Sequence, residues 1–278
     1  MTAPPLLPVD WPAPAHVQAA FTSRAGGVSA APFDSFNLGD HVRDKPADVL
    51  HNRQRLQSSI GVRPVFLQQV HGVDVCSLGA QTPDGTVADA CFTTQRGVAC
   101  TIMVADCLPL VFTNRAGSFV AAAHAGWRGL VGHGGVGVIE SIYASFKPLG
   151  QWNIAGEATE NIANDVLVWL GPCIGPAQFE VGAEVKATFE SSQAGAAKHF
   201  QKIEPGVANA LTEPEKYLAN LQALARDRLH ALGITHIYGN DGSDAWCTVG
   251  NPSQFFSHRR DAAWLGSTGR MAACIWLA

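Results

Sequence analysis

Along this chain the hydrophobic positions change their period several times, and each change marks an element. Residues 1–14 carry Pro4, Pro5, Pro8, Pro12 and Pro14. With so many N–H donors missing they predict an extended lead-in that cannot pair as a central strand. The run Phe21-Thr-Ser-Arg-Ala-Gly-Gly-Val-Ser29 is strand-like until Gly26 and Gly27 break it. Asp48–Gln57 has helical spacing and follows Pro46, a residue suited to a helix start. Between 65 and 125 the pattern shifts to short β runs. Residues 64–70 and 73–78 form the first expected pair, with His71 and Gly72 between them. Runs over 90–94, 98–104, 108–112 and 118–123 follow, divided by Gly, Pro and Asn.

The second half mixes the two periods. Val131–Pro148 reads as a helix entered through glycines, and Val166–Leu170 as a buried strand stopped by Gly171 and Pro172. Helices are predicted over Val181–Glu190 and Glu213–Leu232, the latter on a stripe of Leu218, Leu221, Ala225, Leu229 and Leu232. Residues 235–238 and 270–277 look like final strands. The small-residue, polar stretches 150–164 and 191–212 read as surface excursions, and no repeat recurs at a fixed period. The expectation is a mixed α/β (α+β) fold, one compact catalytic domain over 1–278 with a mixed β-sheet and flanking helices.

Composition narrows the function. At 47% hydrophobic and 15% charged residues the chain has the balance of a globular protein, not of a tail or linker. A formal charge of −4 and no Lys/Arg block argue against nucleic acid, which needs a basic surface. The first dozen residues have neither the basic nor the apolar region of a signal peptide. Apolar runs such as Phe119–Ala125 fall far short of the ~20 residues a membrane span needs. Seven scattered cysteines (Cys76, Cys91, Cys100, Cys107, Cys173, Cys247 and Cys274) read as reduced thiols. Together these predict a cytoplasmic protein with a small-molecule partner. Without a heptad or an exposed apolar stripe, a monomer is expected.

Three segments put a metal-capable side chain beside small or turn-forming residues: Gln68-Gln-Val-His71-Gly72, Ala105-Asp106-Cys107-Leu-Pro109 and Ala121-Ala-Ala-His124-Ala-Gly-Trp127-Arg128-Gly129. Each ends an apolar run, where a strand delivers its last residue to the rim of a sheet. Two imidazoles and a thiolate suit zinc, and three protein ligands leave a fourth position for water. The separations, 71 to 107 and 107 to 124, match no local zinc signature. The residues alone therefore leave a second reading open, a metal-free cysteine hydrolase with Cys107 as nucleophile and His124 as base, acting on an amide or cell-wall precursor.

The whole chain from Phe21 onward resembles the YfiH-like "laccase domain" family, called polyphenol oxidase and later purine nucleoside phosphorylase. The resemblance rests on the residue 21–29 run, Phe33-Asp-Ser-Phe-Asn-Leu-Gly39, Asn52-Arg53, Gln69-Val-His-Gly72, Ala105-Asp-Cys-Leu-Pro109 and His124-Ala-Gly-Trp-Arg-Gly129. Gly171-Pro-Cys-Ile-Gly175, Phe255-Phe-Ser257 and Thr268-Gly-Arg270 complete it. It implies a layered α/β sandwich and a zinc site at His71, Cys107 and His124. It also implies phosphorolysis of purine nucleosides, methylthioadenosine included, and deamination of adenosine, with zinc-activated water or hydroxide and phosphate as nucleophiles. Copper-dependent oxidation of phenols is the family's earlier claim. Two departures stand out: His258-Arg259 replaces the usual Tyr-Arg, and residues 261–267 form a longer stretch than usual before Thr268.

Several alternatives are weighed by residue pattern. A multicopper oxidase needs several His-rich sites, yet the ten histidines include no His-x-His pair. The common zinc deaminases carry His-x-Glu and Pro-Cys-x-x-Cys; here Ala125-Gly126 follow His124, and Cys173 has no second cysteine three positions on. For an anion pocket Arg24, beside Gly26 and Gly27, is the first candidate and Arg128 the second. Asp106 is read either as a group that orients a histidine or carries a proton, or as a turn-stabilising carboxylate. Cys173 is read as a buried structural thiol. His41, His51, His133 and His258 are read as solvated or hydrogen-bonded, and Trp127 as packed.

Overall fold

The computed structural model describes residues 4–150, 162–204 and 214–278. In its first half the elements run β1 (Leu6–Pro8), β2 (Val17–Thr22), α1 (Pro46–Ile60), β3 (Arg63–Phe66), β4 (Val75–Ser77), β5 (Ala90–Thr93) and β6 (Val98–Val104). Then come β7 (Leu108–Asn114), β8 (Val120–Ala125), α2 (Trp127–Val131), α3 (Val138–Phe146) and β9 (Val166–Leu170). The chain closes through β10 (Glu180–Gly182), α4 (Ala183–Ser192), β11 (Phe200–Lys202), β12 (Lys216–Ala219), α5 (Leu221–Ala231), β13 (His236–Gly239), α6 (His258–Leu265) and β14 (Met271–Leu277).

Two sheets stack face to face. One has the order β1-β2-β14-β6-β3, the other β13-β9-β7-β8-β5-β4, and a small third sheet, β10-β12-β11, stands beside them. Strand alternation explains the stacking. On β7, Leu108, Leu110 and Phe112 point toward the helices while Val111 points toward the other sheet. On β6, Val98, Cys100, Ile102 and Val104 enter the space between the sheets, and Ala99 and Met103 face outward toward α1. The result is four layers: α1, the five-stranded sheet, the six-stranded sheet, and a cover of α3, α4 and α5 packed on Phe112, Phe119 and Leu170. Both faces of both large sheets are buried, which is why β6, β7 and β8 are apolar or small at nearly every position.

The mixed α/β expectation holds, with local corrections. Residues 64–70 and 73–78 are not partners: β3 lies parallel to β6 in one sheet and β4 parallel to β5 in the other. Periodicity reports a strand's faces but not its neighbour. The helix expected over 131–148 starts only at Val138, as α3; Gly132, Gly134 and Gly135 take positive φ and separate it from α2, which ends at Val131. Of the stretch 213–232, residues 216–219 form β12, and α5 starts after Asn220, whose side chain accepts the N–H of Ala223. Residue 213 lies outside the described residues, as do 151–161 and 205–212 of the two expected excursions. The lead-in does pair, but at the sheet edge, where β1 meets β2.

Candidate metal centre and its cavity

Strand parity aims the first ligand. On β8, Ala121, Ala123 and Ala125 belong to the helix-facing core while Val120 and Ala122 face the other sheet. His124 continues the second set and is buried between the sheets. Cys107 reaches the same place by a crossover: β6 belongs to one sheet and β7 to the other, and Ala105-Asp106-Cys107 is the turn between them. Asp106 takes φ 89° there, a conformation Asp tolerates better than most side chains. The β7–β8 register pairs Pro109 with His124, so Cys107 arrives two residues from that level. The segment from β3 to β4 also passes between the sheets, and in it His71 adopts φ 61°.

The three side chains converge: their ligand atoms all lie within 4.8 Å of one another. Cys107 Sγ is 3.7 Å from His71 Nε2, and the two imidazole centroids are 4.8 Å apart. His124 is buried, Cys107 half-buried and His71 exposed, so the cluster opens on one side. Gly126 keeps it open. A Cβ there would stand 2.7 Å from His71 Cδ2 and 3.0 Å from Cys107 Sγ.

A residue that the sequence reading passed over organises the cluster. Asp89 is fully buried at the start of β5. Its Oδ1 accepts from the His71 N–H (2.9 Å) and from His124 Nδ1 (2.8 Å); its Oδ2 accepts from the N–H groups of Gly72 (2.7 Å) and Val70 (3.0 Å). One carboxylate thus fixes both the loop that carries His71 and the ring of His124. With Nδ1 donating to Asp89, Nε2 of His124 is the nitrogen left for a ligand bond. A lone charge within the apolar run Val87-Ala-Asp-Ala-Cys-Phe92 was the available signal, since a buried carboxylate must be fully hydrogen-bonded.

The electrostatics follow from that packing. Burial pushes the Cys107 thiol up, but the charge and hydrogen bond of His124 and the neighbouring His71 outweigh it and bring it to about 6. Burial opposes the charge on His124, yet Cys107 and Asp89 raise it to about 9. Asp89 is itself held below the ordinary carboxylate range: burial works against its charge, and His124 and the backbone donors prevail.

The cluster lines a cavity of about 290 Å³, near the small end of small-molecule sites, roughly 300–1,000 Å³. Met103, Trp127, Ile174, Phe179 and Leu221 supply apolar walls, and His41, His258, Arg259 and Arg270 line it as well. His41 and His258, expected to be solvated or hydrogen-bonded rather than ligands, line the cavity as exposed residues. Asp106 lines the cavity too, but its oxygens accept from Thr248 Oγ1 and the Arg259 N–H, both at 2.6 Å, and the bond to a ligand histidine belongs to Asp89.

The two expected anion binders stand elsewhere. Arg24 spends its guanidinium on the Asp34 and Pro252 carbonyls and the Asp34 carboxylate, against the ring of Phe256, and does not line the cavity. Arg128 is exposed and lies over Trp127. Nearness in sequence to glycines or to a ligand did not predict which way either side chain leaves its backbone. Cys173 is fully buried, and burial lifts its thiol well above the ordinary value. Residues 261–267, the stretch longer than usual, form the end of α6 and its Gly266 cap.

Comparison with known proteins agrees over nearly the whole chain. A purine nucleoside phosphorylase of Pseudomonas aeruginosa is 44% identical over 271 residues, 98% of each chain. The purine nucleoside phosphorylase YfiH of Escherichia coli is 43% identical over 274 residues, again 98% of each. A crystal structure of a Neisseria meningitidis protein superposes with a TM-score of 0.79 at 40% identity, covering 98% of both chains. The family described as multi-copper polyphenol oxidoreductase laccase matches residues 18–278, and with these relatives alongside, the chain belongs to that family, the one that includes YfiH.

Proposed function

We propose that this protein is a zinc-dependent purine nucleoside phosphorylase, acting on adenosine and methylthioadenosine and also deaminating adenosine, with His71, Cys107 and His124 as the metal ligands. The observation that carries the reading is a two-imidazole, one-thiolate cluster in the lining of a small, largely apolar cavity. The donor set fits zinc. Tetrahedral S and N ligands with bonds of roughly 2.3 and 2.0 Å stand about 3.5 Å apart, and Cys107 Sγ and His71 Nε2 are 3.7 Å apart. When bound, the ion would supply Lewis acidity that stabilises negative charge on an oxygen.

The chain's own residues do the rest. Asp89 orients His124 and the His71 loop. Phe179, Ile174, Leu221 and Met103 offer apolar surface for a purine and keep water from its faces. In phosphorolysis an oxygen of phosphate forms a bond to C1′ of the ribose while the C1′–N9 bond breaks, its electron pair leaving with the base. The names of the relatives point to this chemistry. Seven cysteines, all free thiols, suit a reducing cytoplasm. Metal analysis with an adenosine assay, with and without phosphate, tests the reading. About one zinc per chain and phosphate-dependent release of adenine, both lost in Cys107→Ala, are expected; a metal-free protein indifferent to adenosine would overturn it.

One observation favours a second reading. A thiol at about 6 beside an imidazole at about 9 is also the thiolate–imidazolium pair of a cysteine hydrolase. Iodoacetamide separates the two, because a zinc-bound thiolate is shielded until a chelator strips the metal, whereas a hydrolase thiol reacts at once.

A further inference from the structure

Beyond the candidate metal ligands, two guanidiniums, Arg259 and Arg270, and two imidazoles, His41 and His258, line the cavity against a single carboxylate, Asp106; burial and the nearby Arg270 hold His41 toward its neutral form. That carboxylate is already satisfied by Thr248 and the Arg259 N–H. Arg259 is largely engaged as well, because its Nη1 and Nη2 donate to the carbonyls of Gln178 (3.3 Å) and Glu180 (2.9 Å). Arg270 differs. Only its Nη1 is taken, by the carbonyls of Thr268 (2.9 Å) and Gly269 (3.1 Å). Among the described residues Nε and Nη2 have no hydrogen-bond partner and no ion pair involves this side chain. Burial weakens the charged state of Arg270, and Cys107 and Asp106 favour it only through space.

The position is built rather than accidental. Asn37 Oδ1 accepts the N–H of Arg270 (2.8 Å) and of Gly39 (2.9 Å), and the Leu38 N–H donates to the Arg270 carbonyl (3.1 Å). The aliphatic stem then lies across Gly39, where a Cβ would come within 2.7 Å of Arg270 Cγ. Segment 37–39 thus clamps the arginine from below, and His41 continues it into the cavity. A half-buried guanidinium held along its stem, with one edge open, is suited to bidentate binding of an oxyanion.

We infer that Arg270 is the phosphate-binding residue of this cavity, holding the inorganic phosphate that attacks C1′; the assignment rests on the phosphorolytic reading above. Phosphate brings the bonding electron pair to C1′, the base leaves with the pair of the C1′–N9 bond and takes up a proton, and Arg270 stays on the phosphoryl oxygens throughout.

The test uses the full-length, zinc-loaded protein. Phosphate binding is measured by calorimetry with inorganic phosphate alone, and the KM for phosphate in adenosine turnover. Arg270→Gln is expected to weaken both on the order of 10–100-fold, the loss of a charged hydrogen-bonding pair, with zinc content and the KM for adenosine nearly unchanged. Arg270→Lys restores part of the loss, since a point charge lacks the fork. Gly39→Ala, which pushes on the stem without removing the charge, raises the phosphate KM more modestly.

An unchanged phosphate KM in Arg270→Gln with zinc retained overturns the assignment and leaves the phosphorylase reading intact. Phosphate binding that depends on Arg270 in a protein that releases no base does the reverse. If Arg270→Gln fails to fold, unaltered phosphate binding in both Arg270→Lys and Gly39→Ala overturns the assignment, as does a wild-type protein that binds no phosphate.

Discussion

Two parts of the cavity lining are built on opposite plans. Around the candidate metal cluster, His124 and Asp89 are buried, and the carboxylate receives four donors from three residues of one loop and from one imidazole. In the basic part of the lining His41 and His258 are exposed, Arg270 is half-buried, and part of its guanidinium has no partner among the described residues. The cluster draws on residues 71–124, strands and their turns. The basic part is gathered from residues 37–41, 258–259 and 270, so segments near both termini must meet to form it. Polar groups satisfied within the protein fix geometry, and groups left open at a cavity wall are free to engage a ligand.

That contrast can be broken or sharpened by substitution. The largest effect belongs to Cys107→Ala, which removes the thiolate ligand; zinc is expected to be lost on dialysis and phosphate-dependent base release to fall below detection. Next is the pH profile of the metal-stripped protein. Because His124 and His71 stabilise the thiolate, the rate of iodoacetamide alkylation at Cys107 should rise with pH through about 6, where an ordinary thiol is still protonated. A half-point near that of a free thiol would show that the ligand cluster is not preassembled.

Asp89→Asn comes third. It places an NH₂ among the backbone donors of residues 70–72 and weakens the bond to His124, so zinc affinity measured by chelator competition should drop roughly 10–100-fold. Equal affinity would mean that the four hydrogen bonds do not organise the ligands. Gly126→Ala is expected to weaken zinc binding about tenfold, because its Cβ intrudes on His71 and Cys107 while leaving the core alone. Smallest is Arg24→Ala. It removes a partly exposed pair with Asp34, an interaction of the kind worth about 0–1 kcal/mol, together with the hydrogen bonds to the Asp34 and Pro252 carbonyls, and should lower the melting temperature with no change in the phosphate KM. A large rise in that KM would return the anion site to Arg24 and dissolve the contrast.

The legibility of the molecule follows the same division. Pro46 and the spacing after it marked α1, and the apolar runs marked β6 through β9, because helix and strand periods are local properties of the backbone. His71, Cys107 and His124 were readable as metal-capable residues from side-chain chemistry and from their places at element ends. Asp89 was not singled out, although a single charge in an apolar strand was visible, since its four donors come from other segments. Arg24 and Arg128 have sequence neighbours that suit an anion site, while Arg270 stands out in the sequence only as part of Thr268-Gly-Arg270, since a guanidinium becomes an anion site through what surrounds it in space.

The periods, the donor types and the family signature are thus local properties of the chain. That β3 and β4 lie in different sheets, that Asp89 joins His71 to His124, and that segment 37–41 meets Arg270 across more than two hundred residues came from long-range packing. The reason is physical. Which faces a strand presents depends on its own backbone, whereas which sheet edge it joins and which buried polar groups it satisfies depend on distant segments packing together.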